Sequence, residues 1–535
     1  MAYRLAEANR RVCLLERGKA YPPGSFARTP AQMAENFWDP SEGGYGLFQA
    51  WAFPGIESVV SAGLGGGSLI YANVLIRKDE KWFVREEPNK PGFEYWPVNR
   101  QQLDPNYDRV ERILKPQVYP ASQTPYNATP KMLAYRDAAA KAGLDWHLPN
   151  LAVTFANDGQ PARPGDLIVD QSGKAERNLH GMPRFTCRLV GECDVGCNYG
   201  AKNSLDYNYL TEAQRLGAVL HTLCEVRSFR PIDGSYEVEY VQHDVSLQGQ
   251  KGATANLPLQ RIRAKKLILS AGVFGSTYLL LKNRKDNLPN LSAQLGKRFS
   301  SNGDILGFAR GGGRDLNGMF GPVITSTIRV DDQLDGGQGR GFYIQEGGFP
   351  LILGWVIESA NTPAVGFRFV RLLWNQLTAA LQHSPKSDLG AELRMVLGPG
   401  TDSSELMVML GMGRDIPNGN FSLRSGWLQL DWTRKASSAY FDRVETTMAS
   451  ISQAMGARFV ANPLKHVRKL VTVHGLGGCP MGRNLEEGVV DDHGEVFNYP
   501  GLYVADGSIL PGPVGPNPSL TIAAMSDRAA DHVIG

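Results

Sequence analysis

The sequence lacks long hydrophobic runs: no uninterrupted apolar stretch reaches the roughly eighteen residues that a membrane-spanning helix needs. The first residues, from Met1 to Leu5, do not have the character of a signal peptide. Membrane contact is therefore expected to be peripheral at most, and the cytoplasm is the default expectation for its location. Cysteine is also scarce, with six residues in 535, which is too few for a disulfide scaffold.

An excess of charge of one sign is missing as well. The chain has 56 basic and 53 acidic residues, a formal net charge of +3, and no block of like charges stands out. This balance argues against nucleic acid as a partner. With 42% hydrophobic and 20% charged residues, the composition is that of an ordinary globular enzyme large enough for more than one structural unit.

Glycine is what the sequence has in excess, with 60 residues in 535. The glycines cluster at 63–67, 475–478 and 507–515 instead of forming a repeat. Such clusters mark places where the backbone passes close to a ligand or adopts positive φ.

The first eighteen residues have the pattern of the second half of a dinucleotide-binding βαβ unit. Ala2–Ala8 predicts the end of a helix, Val12–Leu15 predicts a strand, and Glu16 follows at the strand's carboxyl end. An acid at that position accepts hydrogen bonds from the adenosine ribose hydroxyls.

The first half of that unit is not in the sequence. The glycine turn of such a unit lies about 20 residues before the acid, which places it upstream of Met1. We therefore expect the native protein to have further residues upstream. The alternative is a chain whose first helix is an ordinary amphipathic helix.

Further segments indicate the same domain. Tyr236–Tyr240 alternates like a half-exposed strand, and a strand ending at Ser270 runs into the turn Ala271-Gly272 and a helix from about Ser276. A strand beginning at Gly501 ends in Asp506 and Gly507. The predicted nucleotide domain is thus discontinuous, comprising 1–125, 185–305 and 465–535, and the predicted substrate domain comprises 126–184 and 306–464.

Two more motifs carry chemistry. Three consecutive glycines, Gly65 to Gly67, follow a strand and allow backbone to approach a planar ring or a phosphate. The second motif runs from Gly512 to Thr521. In it we predict Asn517 as the N-cap and Pro518 as the first residue of a helix to the C-terminus. The positive end of that helix would stabilise negative charge on a bound ligand.

Together these residues resemble the glucose–methanol–choline (GMC) oxidoreductase family, in the branch that includes cholesterol oxidases. The resemblance implies an α/β fold with a Rossmann-like FAD-binding domain and a substrate-binding domain of a sheet with helices. The segments that carry it are Leu14-Leu15-Glu16-Arg17-Gly18, Gly63 to Asn73, Gly200-Ala201-Lys202-Asn203-Ser204, Leu295-Gly296-Lys297, Asn302-Gly303-Asp304, His474 to Gly482 and Leu502 to Thr521.

The resemblance also implies that FAD is bound, with Val226 near the adenine and Asp506 and Gly507 on the ribityl chain. FAD is expected to be non-covalent, since Ser61 and Ala62 stand where some relatives attach it through a histidine. The residues expected to bind it are Glu16, Gly65, Gly66, Gly67, Ser68, Asn73, Val226, Ala271, Gly272, Asp506, Gly507 and Pro518.

The resemblance further implies catalytic roles for His474 and Asn517, and the chemistry of alcohol oxidation agrees. Hydride leaves an alcohol carbon only as the hydroxyl proton is lost, so the site needs a base such as an imidazole, and a neutral amide orients the oxygen. Taken alone, His474 also fits a packed core histidine. Glu346 lies where cholesterol oxidases place an active-site glutamate, but it also fits a solvated carboxylate in a turn.

Three cysteines, Cys187, Cys193 and Cys197, form a C-x5-C-x3-C cluster. Val190 stands where many relatives have a fourth cysteine, and an iron–sulfur loop needs four thiolates. Packed thiols or a single disulfide are favoured over a cluster or zinc, and we predict no metal.

The sequence therefore predicts an FAD-dependent oxidase or dehydrogenase acting on a sterol or another bulky hydrophobic alcohol, with oxygen or a quinone-type acceptor. A photodecarboxylase-like lyase acting on fatty acids and a flavin-free binding protein are the alternatives. Apolar residues at helical spacing in 370–381 fit either a buried helix or a lid that meets a lipid-like substrate.

Overall fold

The computed structural model describes residues 1–86, 92–252, 254–334, 339–349, 403–461 and 470–535. In those ranges no helix is both long and apolar enough to cross a membrane. The α-helices there are α1 Ala2–Glu7, α2 Pro30–Ala34, α3 Arg100–Leu114, α4 Pro130–Ala142, α5 Thr211–Arg215, α6 Gly272–Asn283, α7 Ser438–Ala454 and α8 Ser519–Ile534.

The strands are mostly short. In chain order they are β1 Cys13–Leu15, β2 Trp38–Asp39, β3 Gly44–Tyr45, β4 Phe48–Phe53, β5 Ile56–Ser61, β6 Val74–Leu75, β7 Val84–Arg85, β8 Glu94–Tyr95, β9 Gln117–Val118, β10 Asp145–His147, β11 Asn150–Leu151, β12 Val219–His221, β13 Cys224–Ile232, β14 Ser235–Gln242, β15 Leu259–Ala264, β16 Leu267–Leu269, β17 Ile305–Arg310, β18 Thr327–Val330, β19 Phe342–Gly347, β20 Leu406–Gly413, β21 Asn420–Arg424, β22 Trp427–Asp431, β23 Arg458–Ala461, β24 Leu470–Thr472 and β25 Leu502–Val504.

Two parallel strand pairs lie in the segments predicted to form the nucleotide domain. β1 pairs with β12, and β16 pairs with β25. Within the described ranges the two pairs belong to separate sheets, and β1 and β16 both line one large cavity. Parallel strands are normally covered on both faces by the rest of an α/β fold. The glycine turn upstream of Met1 stays a prediction.

A three-stranded sheet of order β24-β5-β4 brings two motifs together. β24 runs parallel to β5, with Leu470 opposite Ile56, so both strands end at the same edge. The glycine segment follows β5, and His474 follows β24. The parallel register therefore places the triple glycine and the histidine at one edge, although they are some four hundred residues apart in sequence.

A six-stranded antiparallel sheet of order β10-β18-β19-β20-β17-β23 forms the other large element. Helices α4 and α7 cover one face of this sheet, where Ile305, Met409 and Ile344 join their hydrophobic core. The other face includes Leu306 and Leu410, which line the large cavity. The sheet thus separates a packed core from the cavity.

Several local predictions are confirmed and two boundaries move. α1, β1 and the alternating strand β14 lie where the pattern places them. Helix α6 begins at Gly272 instead of near Ser276. Helix α8 begins at Ser519 with Pro518 as its N-cap, so the prediction that Asn517 caps it is wrong. The apolar segment in 370–381 lies outside the described residues.

Candidate active site

One cavity of about 2790 Å³ collects nearly all of the residues that the sequence singles out. It lies between the parallel pairs, the glycine segment and the six-stranded sheet. Of the residues predicted to bind FAD or to act in catalysis, only Glu346 does not line it. Those that do are Glu16, Gly65, Gly66, Gly67, Ser68, Asn73, Val226, Ala271, Gly272, His474, Asp506, Gly507, Asn517 and Pro518.

The three glycines have different roles: Gly65 shapes the turn, and Gly66 and Gly67 face the cavity. Gly65 has a φ of +125°, and a Cβ there would lie 3.0 Å from a methyl carbon of Leu69, so this glycine serves the turn itself. A Cβ on Gly66 or Gly67 would meet nothing within 4 Å. Ser68 donates its hydroxyl to the Gly65 carbonyl at 2.6 Å, which holds the turn. Gly66 and Gly67 therefore present bare backbone where a ligand can approach.

Asn73 supplies polar atoms on the wall of the same cavity. Its backbone has a φ of +72°, and its side chain is completely buried. Neither Oδ1 nor Nδ2 has a nitrogen or oxygen partner within the described chain, and the Cys193 thiol is within hydrogen-bonding reach of this amide. A buried amide with so few partners is costly, so Asn73 is a candidate contact for a ligand in the cavity.

Two carboxylates lie at the ends of the parallel strands β1 and β25, on the cavity wall. Glu16 accepts the Gly18 N–H at 2.7 Å, and burial raises the pKa of its carboxyl. The Asp506 carboxylate is taken up by protein donors, the Gly272 N–H at 3.0 Å and both the N–H and hydroxyl of Ser508 at 2.9 and 2.6 Å. The Asp506 carboxylate, just after β25, is already hydrogen-bonded to the start of α6. A ligand in the cavity would therefore contact the backbone of the Asp506 turn instead of its carboxylate.

His474 is held by a buried aspartate. Its Nδ1 lies 2.7 Å from Oδ1 of Asp304, and its side chain is 14% exposed. Oδ2 of Asp304 accepts the Thr472 hydroxyl at 2.8 Å and the Val473 N–H at 2.9 Å, so Asp304 is itself fixed. An ionised carboxylate can only accept, so Nδ1 carries the proton and Nε2 keeps its lone pair. The imidazole is therefore arranged as a base at Nε2.

Asn517 accepts a hydrogen bond from a buried glutamine. Gln345 on β19 is fully buried, and its Nε2 donates to Oδ1 of Asn517 at 2.7 Å. Because Oδ1 is occupied, the donor Nδ2 is the end of the Asn517 amide left for the cavity.

The loop that carries Asn517 is held by two buried side chains. Asn302 accepts the N–H groups of Val514 and Gly515, both at 2.9 Å. Lys78 donates its ammonium to the carbonyls of Pro513 and Val514 at 2.7 and 3.0 Å, and burial lowers its pKa well below the usual range. Both contacts restrict the position of Asn517.

Comparisons with known proteins agree with this geometry. A family model described as GMC oxidoreductase matches residues 421–526. Cholesterol oxidase from Mycobacterium tuberculosis is 29% identical, with the alignment covering 99% of this chain and 88% of that protein. These matches support membership of the GMC oxidoreductase family, in its cholesterol-oxidase-like branch, and an alcohol oxidase or dehydrogenase.

Other relatives point the same way. A cholesterol oxidase from Acinetobacter baumannii is 26% identical over 99% of this chain and 91% of its own length. A solved structure, pyridoxine 4-oxidase from Mesorbium loti, has a TM-score of 0.55 at 14% identity and covers 99% of this chain and 96% of its own. That likeness confirms the α/β fold of the GMC type. GMC oxidoreductases are generally flavoproteins, so a flavin is expected from the family.

The structure corrects the prediction for Glu346. This fully buried carboxylate lies on the helix-covered face of the sheet, where it accepts from Lys131 Nζ at 2.7 Å and from the Thr325 and Ser326 N–H groups at 3.0 and 2.9 Å. Successive side chains on a strand point to opposite faces, so Gln345 faces Asn517 and Glu346 faces away. In this GMC oxidoreductase, Glu346 partners a lysine instead of the reacting groups.

The cysteine cluster lies in a hydrophobic core. All six cysteines are free thiols. Cys187 and Cys193 are buried beside Tyr119 and Phe155, and burial raises the pKa of both thiols. This packing agrees with packed thiols, and the disulfide alternative is wrong for this structure.

Two residues of the site were missed by sequence reasoning. Asp304 lies within the segment Asn302-Gly303-Asp304 that carries the family resemblance, but nothing local connects it to a histidine 170 positions later. Gln345 is the neighbour of the glutamate that was singled out. The strand alternation through Phe342 and Ile344, which belong to the core, is the signal that identifies its face.

Proposed function

We propose that this protein is an FAD-dependent oxidoreductase that oxidises the CH–OH group of a bulky hydrophobic alcohol, with His474 as the base and Asn517 as the hydroxyl-orienting donor. The arrangement of His474 and Asn517 on one cavity carries the proposal. Each presents the required atom because a buried neighbour occupies its other end. The electron acceptor is oxygen or a quinone-type compound.

The residues of the cavity fit a flavin nucleotide held without a covalent bond. Glu16 would bind the ribose hydroxyls, and Gly66 and Gly67 would let backbone approach closely. The N-terminal end of α8 also faces the cavity, and its positive dipole suits an anionic ring. When bound, FAD supplies the acceptor for the hydride.

The chain's own residues would handle the proton and the oxygen. Nε2 of His474 would take the hydroxyl proton as the alcohol is oxidised. The negative carboxylate of Asp304 would stabilise the imidazolium that this transfer creates. Nδ2 of Asn517 would donate a hydrogen bond to the alcohol oxygen and fix its orientation.

An apolar floor beside these groups supports the substrate class. In the sheet register Leu410 is opposite Leu306 on one side and Gln345 on the other, so these three side chains share a face. Leu306, Leu410 and Val408 all line the cavity. A rigid apolar body such as a sterol would bury surface there, at about 25 cal/mol for each Å².

The test begins with purified protein and its visible spectrum. We expect a flavin spectrum, and FAD in the supernatant after denaturation and precipitation. Under anaerobic conditions a sterol or long-chain alcohol should bleach the flavin, and His474→Ala should bind FAD but bleach far more slowly. A protein that takes up no flavin, or flavin that no apolar alcohol reduces, would contradict the proposal.

The substrate class has a separate test. Val408→Phe reduces the space in the cavity beside the apolar floor and leaves His474 and Asn517 unchanged. We expect it to raise KM for a bulky sterol much more than KM for a short linear alcohol. Equal effects on both substrates would show that the floor does not meet the substrate.

A further inference from the structure

The asparagine in the site accepts a hydrogen bond from a side chain that takes no direct part in the proposed proton transfer. Gln345 is fully buried, and its Nε2 lies 2.7 Å from Oδ1 of Asn517. Its own Oε1 is buried without a hydrogen-bond partner in the described chain. A glutamine that only filled space would gain nothing over an apolar side chain here, because an unpaired buried carbonyl is unfavourable.

The direction of this hydrogen bond decides what Asn517 offers. An amide has one accepting end and one donating end, so a donor behind Oδ1 leaves Nδ2 facing the cavity. An acceptor behind Asn517 would favour the reversed amide, which would present Oδ1 to the substrate oxygen. Two oxygen lone pairs would then face each other.

Charge supports the same conclusion. The neighbouring carboxylate, Glu346, is turned to the other face and paired with Lys131 at 2.7 Å. Gln345 thus keeps the face beside Asn517 neutral. A carboxylate there would add negative charge where the oxygen of the alcohol gains it as the proton leaves.

We infer that Gln345 is a positioning residue, which fixes the orientation of the Asn517 amide so that Nδ2 donates to the substrate oxygen. This inference rests on the proposed function. Gln345 does not line the cavity, so it acts only through Asn517.

Gln345→Glu tests the inference through pH. At low pH a buried glutamic acid is protonated and can donate to Oδ1 of Asn517 as glutamine does. As pH rises the carboxylate becomes an acceptor and the amide reverses. The ratio of variant to wild-type rate constants for flavin reduction should therefore fall with pH, by about tenfold or more, since losing one donor to a developing oxyanion costs about 10²–10³-fold. Taking the ratio removes the effect of His474.

Two further variants complete the experiment. Gln345→Leu should slow flavin reduction by a factor that does not vary with pH, because it has no ionisable group. In an Asn517→Ala background, Gln345→Glu should have little further effect, because the residue through which it acts is gone. Flavin content and Tm are measured for each variant at each pH to separate loss of folding from loss of orientation.

The outcomes distinguish the inference from the proposed function. If wild-type flavin is not reduced by any alcohol, the proposed function fails. If wild type is active and Asn517→Ala is slow, but the Gln345→Glu ratio is independent of pH, the inference alone is overturned. An undiminished effect of Gln345→Glu in the Asn517→Ala background would also overturn it.

Discussion

Replacement of Asp304 by asparagine is expected to stop His474 from acting as a base at Nε2, although the histidine itself is unchanged. The aspartate accepts three donors on Oδ2, from the Thr472 hydroxyl at 2.8 Å and the Val473 and His474 N–H groups at 2.9 and 3.1 Å. It accepts one donor, Nδ1 of His474, on Oδ1 at 2.7 Å. Asparagine has a single oxygen, so it can serve only one of these two sides.

The oxygen should stay with the three donors, because the other orientation would turn the NH₂ group toward all of them. The NH₂ group would then face Nδ1 of His474. Nδ1 can accept a hydrogen bond from it only when the imidazole proton is on Nε2, and Nε2 then has no lone pair for the proton of the alcohol. The substitution also removes a hydrogen bond to a charged group, worth about 1.5–3 kcal/mol. At about 1.4 kcal/mol for each factor of ten, the rate of flavin reduction should fall about 10–150-fold.

Rapid mixing with alcohol in the absence of oxygen measures this rate directly. Asp415→Asn is the matched control, since Asp415 is another fully buried aspartate near Asp304 and its contacts are to Ser300 and Ser301. It should reduce flavin at close to the wild-type rate at neutral pH. An Asp304→Asn variant that folds, holds FAD and reduces it at the wild-type rate would refute the tautomer argument.

Three other results are expected. Gly67→Ala should leave the Tm of the flavin-free protein unchanged but lower FAD occupancy, because the added methyl meets only open space until a ligand arrives. Lys131→Met should destabilise the fold by about 3–5 kcal/mol in denaturant titrations, since it leaves the Glu346 charge unpaired, and adding Glu346→Leu should restore much of that stability. Burial raises the pKa of Asp415 from 3.8 to about 6, so the folded state holds this proton more tightly than the unfolded state, and the free energy of unfolding should fall as pH rises from about 4 to 6. Asp415→Asn should remove that slope, and an unchanged slope would assign it to other groups.

Much of the site was predictable because its parts are local backbone motifs. Glu16 after a short strand, the triple glycine after β5 and the glycines around His474 each show a conformational requirement within a few residues. The structure places Glu16, the triple glycine, His474 and Gly475 on one cavity. The family resemblance, now confirmed, rested on these same segments.

Boundaries and caps were predicted less well. Asn517 and Pro518 fit the usual residue preferences at a helix start, yet the helix begins at Ser519 and no side chain caps it. The reason is tertiary: the Asn517 side chain is engaged by Gln345 across the cavity wall and is not free to cap. Local propensity is overridden where a side chain serves a site.

The sequence by itself supplied the groups on which the proposed chemistry depends: an acid at the end of a strand, glycine turns, an imidazole and an amide. The tertiary structure alone decided which groups support them. Asp304 reaches His474 only because β17 and β24 lie side by side, and Gln345 takes the place predicted for Glu346 because a strand reverses its side chains at every residue. Spacing along the chain records neither contact, since each joins residues from elements that meet only in the folded chain, 170 and 172 positions apart in sequence.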